Sequence, residues 1–519
     1  MALILNIPTL SEKPIIVADT RAQKISQALA NLQTQNPLDI ASHLQTELEI
    51  LNRQKVSASG RIEALEAYRT LLLNTAYSLA DDYVNASLPL HDKAKLAAAA
   101  VEALWLELGY GYKLALVDLQ NQLIKLGTEK NSVHAIQRAM HAISEYALVN
   151  YQTYVLPPEH VWSDLHQLYF CAVQMNVHHF KSELSNSGTP QEYSIENTYK
   201  HALLMSLADP QHLTQRDIRL VVDYLAYHVN NAQISSVMPL ESASAAFVIS
   251  LKSDKPPVPY SKQKEAPNAT TDIMLSTIDL VRTIHQQLSN LQQNQLPKDG
   301  SIPSNASRSE YIDLLTYLIK HWGIIPKRVY NRSQKNGEIE LLAGISAIHF
   351  VSNNKPIERV QSDDIGTRKS QQVMPSRWQI LNISATGVSI RRHPTADKNI
   401  KIGSLIGLKT KGERFWSLGL VRWASCGTKD RLDVGVQLIA PQAQSAMARI
   451  DGRGADEMVL LLPEIIAAKQ VASIITPRGM FEPARQMVLT LENKSIHIML
   501  TRLTDRSQYF ERMQYSVIS

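Results

Sequence analysis

The sequence predicts a multidomain protein of mixed class: an N-terminal all-α helical bundle or array, then a small antiparallel β-barrel with extra C-terminal β-strands. Three observations carry this prediction. The chain of 519 residues exceeds the usual length of one domain. Apolar residues recur at helical spacing through its first half. From residue 325 onward, short β-branched runs separated by glycines replace that pattern, as expected of a small barrel.

Residues 1–251 are predicted to form the helical domain. Asn36 and Pro37 are typical of a helix start, because asparagine caps free backbone N–H groups and proline fits the first turn. Beyond them, apolar residues recur every three or four positions and should form one buried face. That face comprises Ile62, Leu65, Leu72, Leu73, Ala76, Leu79 and Tyr83.

Composition changes sharply at Lys252. The stretch KSDKPPVPYSKQKEAPNATT is rich in proline, lysine and small polar residues and has little to bury, so residues 252–272 are predicted to form a linker. In residues 273–323, Ile278, Val281 and Ile284 lie on one helical face. This segment is therefore predicted to be a helical connector.

Residues 324–445 are predicted to form the β-barrel, and residues 446–519 a C-terminal β subdomain. Asn336 to Phe350 is interpreted as the first strand region of the barrel, and Leu418 to Ala424 and Asp433 to Ile439 as late strands. Further strands are expected at Ala472–Ile475, Gln486–Leu491, Ser495–Leu500 and Tyr509–Ile518. They form either a second β unit or strands added to the first barrel.

Two short motifs provide the candidate binding residues. Arg328 and Arg332 form an Arg-x-x-x-Arg pair, and Asn382, Ser384 and Gly387 form Asn-x-Ser-x-x-Gly. A guanidinium donates two parallel hydrogen bonds to a phosphate or to the O6/N7 edge of guanine. The asparagine and serine add short polar groups, and glycine allows close backbone approach. Together these groups suit a ligand with phosphates and guanine bases.

In this order, and followed by the two late strands, the motifs resemble those of the PilZ domain family, whose members bind cyclic di-GMP. The resemblance covers about residues 325–441. The two motifs lie farther apart than the family usually shows, and the polar segment from Ser352 to Ser376 is interpreted as an inserted surface loop. The resemblance implies that Arg328 and Arg332 clamp the ligand while Asn382 and Ser384 bond it on the barrel face.

The function predicted from this resemblance is a cyclic di-GMP receptor of bacterial type. Binding at the barrel would be coupled to the helical region, which would engage a protein partner. No catalytic motif is found, so an enzyme is not predicted, and neither is a cofactor beyond the ligand. His160, His166, His178 and His179 lie near Cys171, but their spacing does not place them on one helical face, so no metal site is predicted.

Two alternatives remain open. One is an adaptor or scaffold with a ligand-free PilZ-like barrel. The other is a single-stranded nucleic-acid binder, for which Phe415, Trp416 and Trp423 would supply stacking platforms. The net charge of +5 is too mild to favour nucleic acid. Two distant cysteines, no apolar leader and no long apolar run predict a cytoplasmic protein without a membrane span.

Overall fold

The computed structural model describes residues 3–32, 35–122, 129–186, 189–237, 244–263, 265–323, 332–352, 374–394, 396, 399–428, 430–451, 454–466, 470–492 and 494–518. The chain divides into two compact units. One contains Met1–Ala86 and Leu90–Lys327, and the other contains Ser87–Pro89 and Arg328–Ser519. Helices dominate the first unit and closed antiparallel barrels the second, which confirms the predicted mixed class.

The first unit is built on ten helices over its described residues. They are α1 (Ala22–Ala30), α2 (Pro37–Arg53), α3 (Ala58–Tyr83), α4 (Asp92–Asn121), α5 (Glu129–Gln152), α6 (Val161–Gln174), α7 (Ile195–Leu207), α8 (Gln215–His228), α9 (Ile278–Gln292) and α10 (Arg308–Trp322). Every residue of the predicted apolar face on α3 is buried. Oδ1 of Asn36 accepts the Leu38 N–H at 2.9 Å, so the predicted start of α2 is also confirmed.

β-structure also occurs in this unit, which corrects the expectation of an all-α region. A hairpin joins β1 (Lys181–Asn186) to β2 (Thr189–Ser194). A four-stranded antiparallel sheet has the order β3-β6-β4-β5, with β3 (Gln233–Ser236), β4 (Ala246–Ser250), β5 (Val258–Pro259) and β6 (Asp272–Ser276). These strands have two to six residues, too few for hydrophobic periodicity to distinguish them from helix ends.

The stretch predicted as a linker, 252–272, is held to the helices in its described residues. The carboxylate of Asp254 accepts backbone N–H groups of His160 at 2.6 Å, Trp162 at 3.0 Å and Ser163 at 2.9 Å. It thereby satisfies free donors at the start of α6. The Lys255 carbonyl lies 3.0 Å from Nε2 of His166. Composition does not predict this anchoring, because the hydrogen bonds depend on one carboxylate, one histidine ring and backbone groups.

The first barrel of the second unit has the strand order β10-β11-β12-β9-β8-β7 and is closed. Its strands are β7 (Ser333–Ala343), β8 (Ser376–Ser384), β9 (Gly387–Arg392), β10 (Leu405–Thr410), β11 (Ser417–Cys426) and β12 (Leu432–Ala440). The two predicted late strands fall within β11 and β12. The predicted first strand region is only half correct, because Gly344 at φ 88° ends the strand and α11 (Ile345–Ser352) follows.

The C-terminal residues form a second closed barrel. Of the two arrangements expected for them, the structure shows a second β unit and not strands added to the first barrel. The order of this second barrel is β13-β14-β15-β18-β17-β16. The strands are β13 (Gln444–Ile450), β14 (Glu457–Leu462), β15 (Ser473–Thr476), β16 (Gln486–Leu491), β17 (Lys494–Arg506) and β18 (Glu511–Val517). One buried apolar cluster takes residues from both barrels, among them Leu418 and Leu460, and includes Ile348 of α11. α11 therefore helps to pack the barrels together.

Over the described residues, the helices are too short or too polar for any of them to cross a bilayer.

Candidate functional site

The β8–β9 hairpin brings three of the predicted site residues together. Asn382 and Ser384 lie on β8 and Gly387 opens β9, with only two residues in the turn. Ser384 and Gly387 are paired, and Oγ of Ser384 donates a hydrogen bond to the Gly387 carbonyl at 3.2 Å. All three are half-buried, so their polar groups remain within reach of a ligand.

Gly387 is required by the approach of a neighbouring strand. A Cβ at this position would lie 2.7 Å from the carbonyl oxygen of Val436 on β12. The Leu438 N–H also donates to the Thr386 carbonyl at 2.9 Å, which holds the hairpin turn against β12. The glycine of the motif is thus explained by close backbone packing, and no left-handed conformation is involved.

Irregular pairing surrounds Asn382. The register shifts between Ile380 and Asn382 on the β9 side, and between Gln334 and Gly337 on the β7 side. Such irregularities change the direction of side chains and are common beside binding sites. Asn382 itself pairs with Gln334 on one side and Ser389 on the other. Polar residues of three adjacent strands therefore lie side by side, with Gln334 exposed, Asn382 half-buried and Ser389 buried.

Of the two motif arginines, the structure places Arg332. It is exposed and directly precedes Ser333, whose strand partner is Ile383. Continuing this register by one residue brings the backbone of Arg332 beside Ser384. Arg328 lies outside the described residues, as do Lys327 and most of the predicted inserted loop. Whether the first arginine joins the site stays a prediction.

Two neighbouring residues were not predicted as part of the site. The register shift between Val421 and Trp423 leaves Arg422 as an extra residue in β11. Nε of Arg422 donates to Oε1 of Gln437 at 2.6 Å, and Gln437 pairs with Gly387. Trp423 pairs with Gly435. A guanidinium and an indole thus border the hairpin; of the two, sequence analysis singled out only Trp423, as a stacking platform in the nucleic-acid alternative.

Arg391 and Arg392 end β9 near the hairpin, and both already bond to groups of the protein. Arg391 donates two hydrogen bonds to Asp433, at 2.6 and 2.8 Å, and this bonding raises the pKa of the guanidinium. Arg392 donates to the Ala396 carbonyl. Because Arg391 is already paired and Arg422 lies 3.6 Å from Asp505, Arg332 is the better placed cation for an incoming phosphate.

A separate cavity lies in the helical unit, with a volume of about 340 Å³. Its lining includes Trp162 and Tyr151 together with Glu145 and His201. Burial raises the pKa of Glu145 to about 7, and burial lowers the pKa of His201 to about 4. Both groups therefore favour their neutral forms. Sequence patterns do not predict this cavity, because its lining comes from several distant segments.

Comparison with known families matches almost the entire chain. The family described as "Cyclic-di-GMP receptor FimW, N-terminal domain" matches residues 23–240. Its counterpart, "Cyclic-di-GMP receptor FimW, middle PilZ domain", matches residues 246–372 and 353–445. The family "FimW C-terminal beta-barrel domain" matches residues 447–518. The three matches follow one another along the chain in the order N-terminal, middle and C-terminal domain.

Among curated proteins, the "Cyclic-di-GMP receptor FimW" of Pseudomonas aeruginosa is similar along its length. It is 24% identical over 576 aligned positions, which cover 99% of this chain and 93% of that protein. Among solved structures, the insecticidal crystal protein Cry7Ca1 of Bacillus thuringiensis gives a TM-score of 0.17 at 10% identity, covering 96% of this chain and 90% of that one. So low a score does not indicate a shared fold.

Proposed function

This chain belongs to the FimW family of PilZ-domain proteins, and from that premise we propose that it is a cyclic di-GMP receptor. The observation that carries the proposal is the β8–β9 hairpin of the middle domain. It presents Asn382, Ser384 and Gly387 beside Arg332 on a polar face of the barrel. The family match and the chemistry of the hairpin point to the same ligand.

In the proposed site, both cations and neutral polar groups bind the ligand. Arg332, with Arg328 upstream, donates paired hydrogen bonds to phosphates or to guanine edges. Asn382 and Ser384 bond the ligand from the strand face, and Gly387 keeps the hairpin close to β12. Trp423 offers an aromatic plane beside them, and bases stack on such planes. Such a site binds its ligand and performs no reaction on it.

Calorimetric titration of cyclic di-GMP into the full chain tests this proposal. Ser384→Ala and Arg332→Ala should each weaken binding by about 10- to 100-fold, the usual cost of losing a hydrogen bond that involves charge. Arg377→Ala is the matched control, because Arg377 is an exposed arginine at the opposite end of β8. Equal affinity in wild type and both site variants would contradict the proposed site.

We also propose that binding is coupled to a helical partner-binding module. The arginine motif spans residues 328–332, between the end of α10 at Trp322 and the start of β7 at Ser333. Contacts between a ligand and the arginines of this segment are a physical way to change how the two units move. On the helical unit, the consecutive apolar residues Ile15, Ile16 and Val17 are exposed, which supports a surface for a protein partner.

Limited proteolysis and small-angle scattering, each with and without cyclic di-GMP, test the coupling. Ligand should slow cleavage within residues 324–331 and change the scattering profile. Ser384→Ala should show neither effect at the same ligand concentration. An unchanged cleavage pattern and profile at saturating ligand would contradict coupling while leaving the binding proposal intact.

A cytoplasmic location completes the proposal. Cys171 and Cys426 are not joined by a disulfide. Cysteines that remain reduced are typical of a reducing compartment.

A further inference from the structure

Three potential metal ligands meet at the base of the β1–β2 hairpin. His178 and His179 precede β1, and Glu196 follows β2 in the first turn of α7. One ligand atom from each of the three side chains lies within 4.8 Å of the other two. The backbone closes the same base, because the Glu196 N–H donates to the His178 carbonyl at 3.0 Å. Residues separated in sequence by the hairpin are therefore adjacent in space.

The carboxylate of Glu196 is oriented by partners on both of its oxygens. Lys200 lies 3.4 Å from Oε1 and is itself held by the Ala232 carbonyl at 3.0 Å. The hydroxyl of Tyr169 donates to Oε2 at 3.2 Å. Oε2 is also the oxygen that faces Nδ1 of His179, at 3.8 Å. One oxygen is thus anchored by a lysine, and the other faces His179.

The two imidazoles have the features that a metal site requires. Their ring centroids are 4.0 Å apart. Among the residues that the structure describes, Nδ1 of His178 is a buried nitrogen without a hydrogen-bond partner. Buried polar atoms are nearly always satisfied by protein, water or an ion. The His179 side chain is 74% exposed, so it can rotate toward its neighbours at little cost.

We propose that His178, His179 and Glu196 bind a divalent transition-metal ion, with Zn²⁺ as the best match. Two imidazole nitrogens and one carboxylate oxygen are a donor set suited to zinc and disfavoured by calcium or magnesium, which prefer oxygen ligands. Water would complete the coordination on the exposed side. Tyr169 and Lys200 act as outer partners that orient the carboxylate.

Such an ion would tie together the two ends of the hairpin. The pairing of Lys181 with Ser194 begins the hairpin immediately beyond the ligands. A metal bridging His178, His179 and Glu196 would fix the start of α7 to the turn that follows α6. Metal binding should therefore protect this part of the helical unit, independently of any ligand on the barrel. Sequence analysis did not identify the site, because Glu196 is seventeen positions from His179 in the chain. The β1–β2 hairpin brings the two residues together.

Competition titration of Zn²⁺ against a chromophoric chelator tests the proposal, using the full chain without an affinity tag and stripped of metal. One ion should bind per chain. His178→Ala, His179→Ala and Glu196→Gln should each weaken binding by about 100-fold, and Tyr169→Phe by about tenfold, as for outer partners of known sites. His212→Ala is the matched control, since His212 also pairs with a carboxylate, at 2.9 Å from Asp209.

Two further measurements keep the test decisive. His179 is exposed, so His179→Ala should retain the wild-type circular dichroism even if Glu196→Gln disturbs Lys200. A tenfold excess of Mg²⁺ or Ca²⁺ should not displace Zn²⁺. The proposal is overturned if folded His179→Ala binds Zn²⁺ as tightly as the wild type, or if the wild type shows no stoichiometric binding.

Discussion

The indole of Trp423 lies against the backbone of Gly435, so closely that a Cβ at position 435 would stand 1.7 Å from Nε1 of the indole. Gly435 pairs with Ser389, and Ser389 pairs with Asn382. Because Gly435 has no side chain, the indole of Trp423 can lie against its backbone, beside the proposed ligand site.

Gly435→Ala should displace Trp423 and disturb the ligand site. The added methyl group has no space, and overpacking of this kind costs about 1–3 kcal/mol of folding free energy. Thermal unfolding should show the loss of stability, and calorimetry should show weaker cyclic di-GMP binding. Gly109→Ala on α4 is the control, because a Cβ there would meet Ala142 at an ordinary 3.5 Å. Wild-type stability and affinity in Gly435→Ala would contradict the packing role.

Asp254→Ala should destabilise the helical unit by about 1–2 kcal/mol, the range for loss of a helix N-cap. The variant leaves the three backbone N–H groups at the start of α6 without their acceptor. Urea unfolding followed by far-ultraviolet circular dichroism measures the change. Asp82→Ala, which removes an exposed pair with Lys93, should cost less than about 1 kcal/mol. Equal effects would show that Asp254 is an ordinary surface carboxylate.

His166 should make the helical unit lose stability in acid. Burial lowers the pKa of His166 to about 4, and the neutral ring is bonded by Tyr199 at 2.6 Å. The unfolded chain binds a proton near pH 6.5 and the folded chain does not. The contribution is therefore fully present above pH 6.5 and is lost as pH falls toward 4, by about 3 kcal/mol.

The measurement is the difference in unfolding free energy between wild type and His166→Gln, taken from pH 7 to pH 4. This difference removes the opposing contribution of Glu145, whose raised pKa favours the folded state as pH falls. The stability advantage of the wild type should shrink with acidification. A constant difference for His166→Gln would contradict a buried neutral ring.

Asp433→Asn should tighten cyclic di-GMP binding at low salt. The change releases the positive charge of Arg391, two residues along β9 from Ser389, and that of Arg431, which lies 3.7 Å from Asp433. One unit charge about 8 Å from one phosphate is worth about 0.5 kcal/mol in water, or roughly twofold in affinity. The gain should vanish at 1 M salt, where screening acts within about 3 Å. Glu457→Gln, on the second barrel, should leave the affinity unchanged.

Regular features were predictable from sequence because they repeat. The buried face from Ile62 to Tyr83 follows the helical period, and the Asn36 cap depends on two adjacent residues. The short β-branched runs separated by glycines predicted a small β-barrel. The apolar run after Gly344 was misassigned because a short apolar segment fits a strand as well as a helix.

Features that depend on tertiary contact were not predictable. The irregular pairing that positions Arg422 and Trp423 leaves no trace in hydrophobic periodicity. Asp254 stands in a stretch whose composition indicates a linker, yet it caps a helix some ninety residues away in sequence. The motif residues Asn382, Ser384 and Gly387 could be identified because their spacing is local and falls on one hairpin.

A double-mutant cycle tests most directly whether the two motifs form one cyclic di-GMP site. Arg328→Ala, Ser384→Ala and the double variant are titrated calorimetrically beside the wild type. We expect saturable binding by the wild type, at least about tenfold weaker binding in each single variant, and a double variant weakened by less than the product of the two losses. Wild-type affinity in Arg328→Ala, or no binding by the wild type, would contradict this expectation.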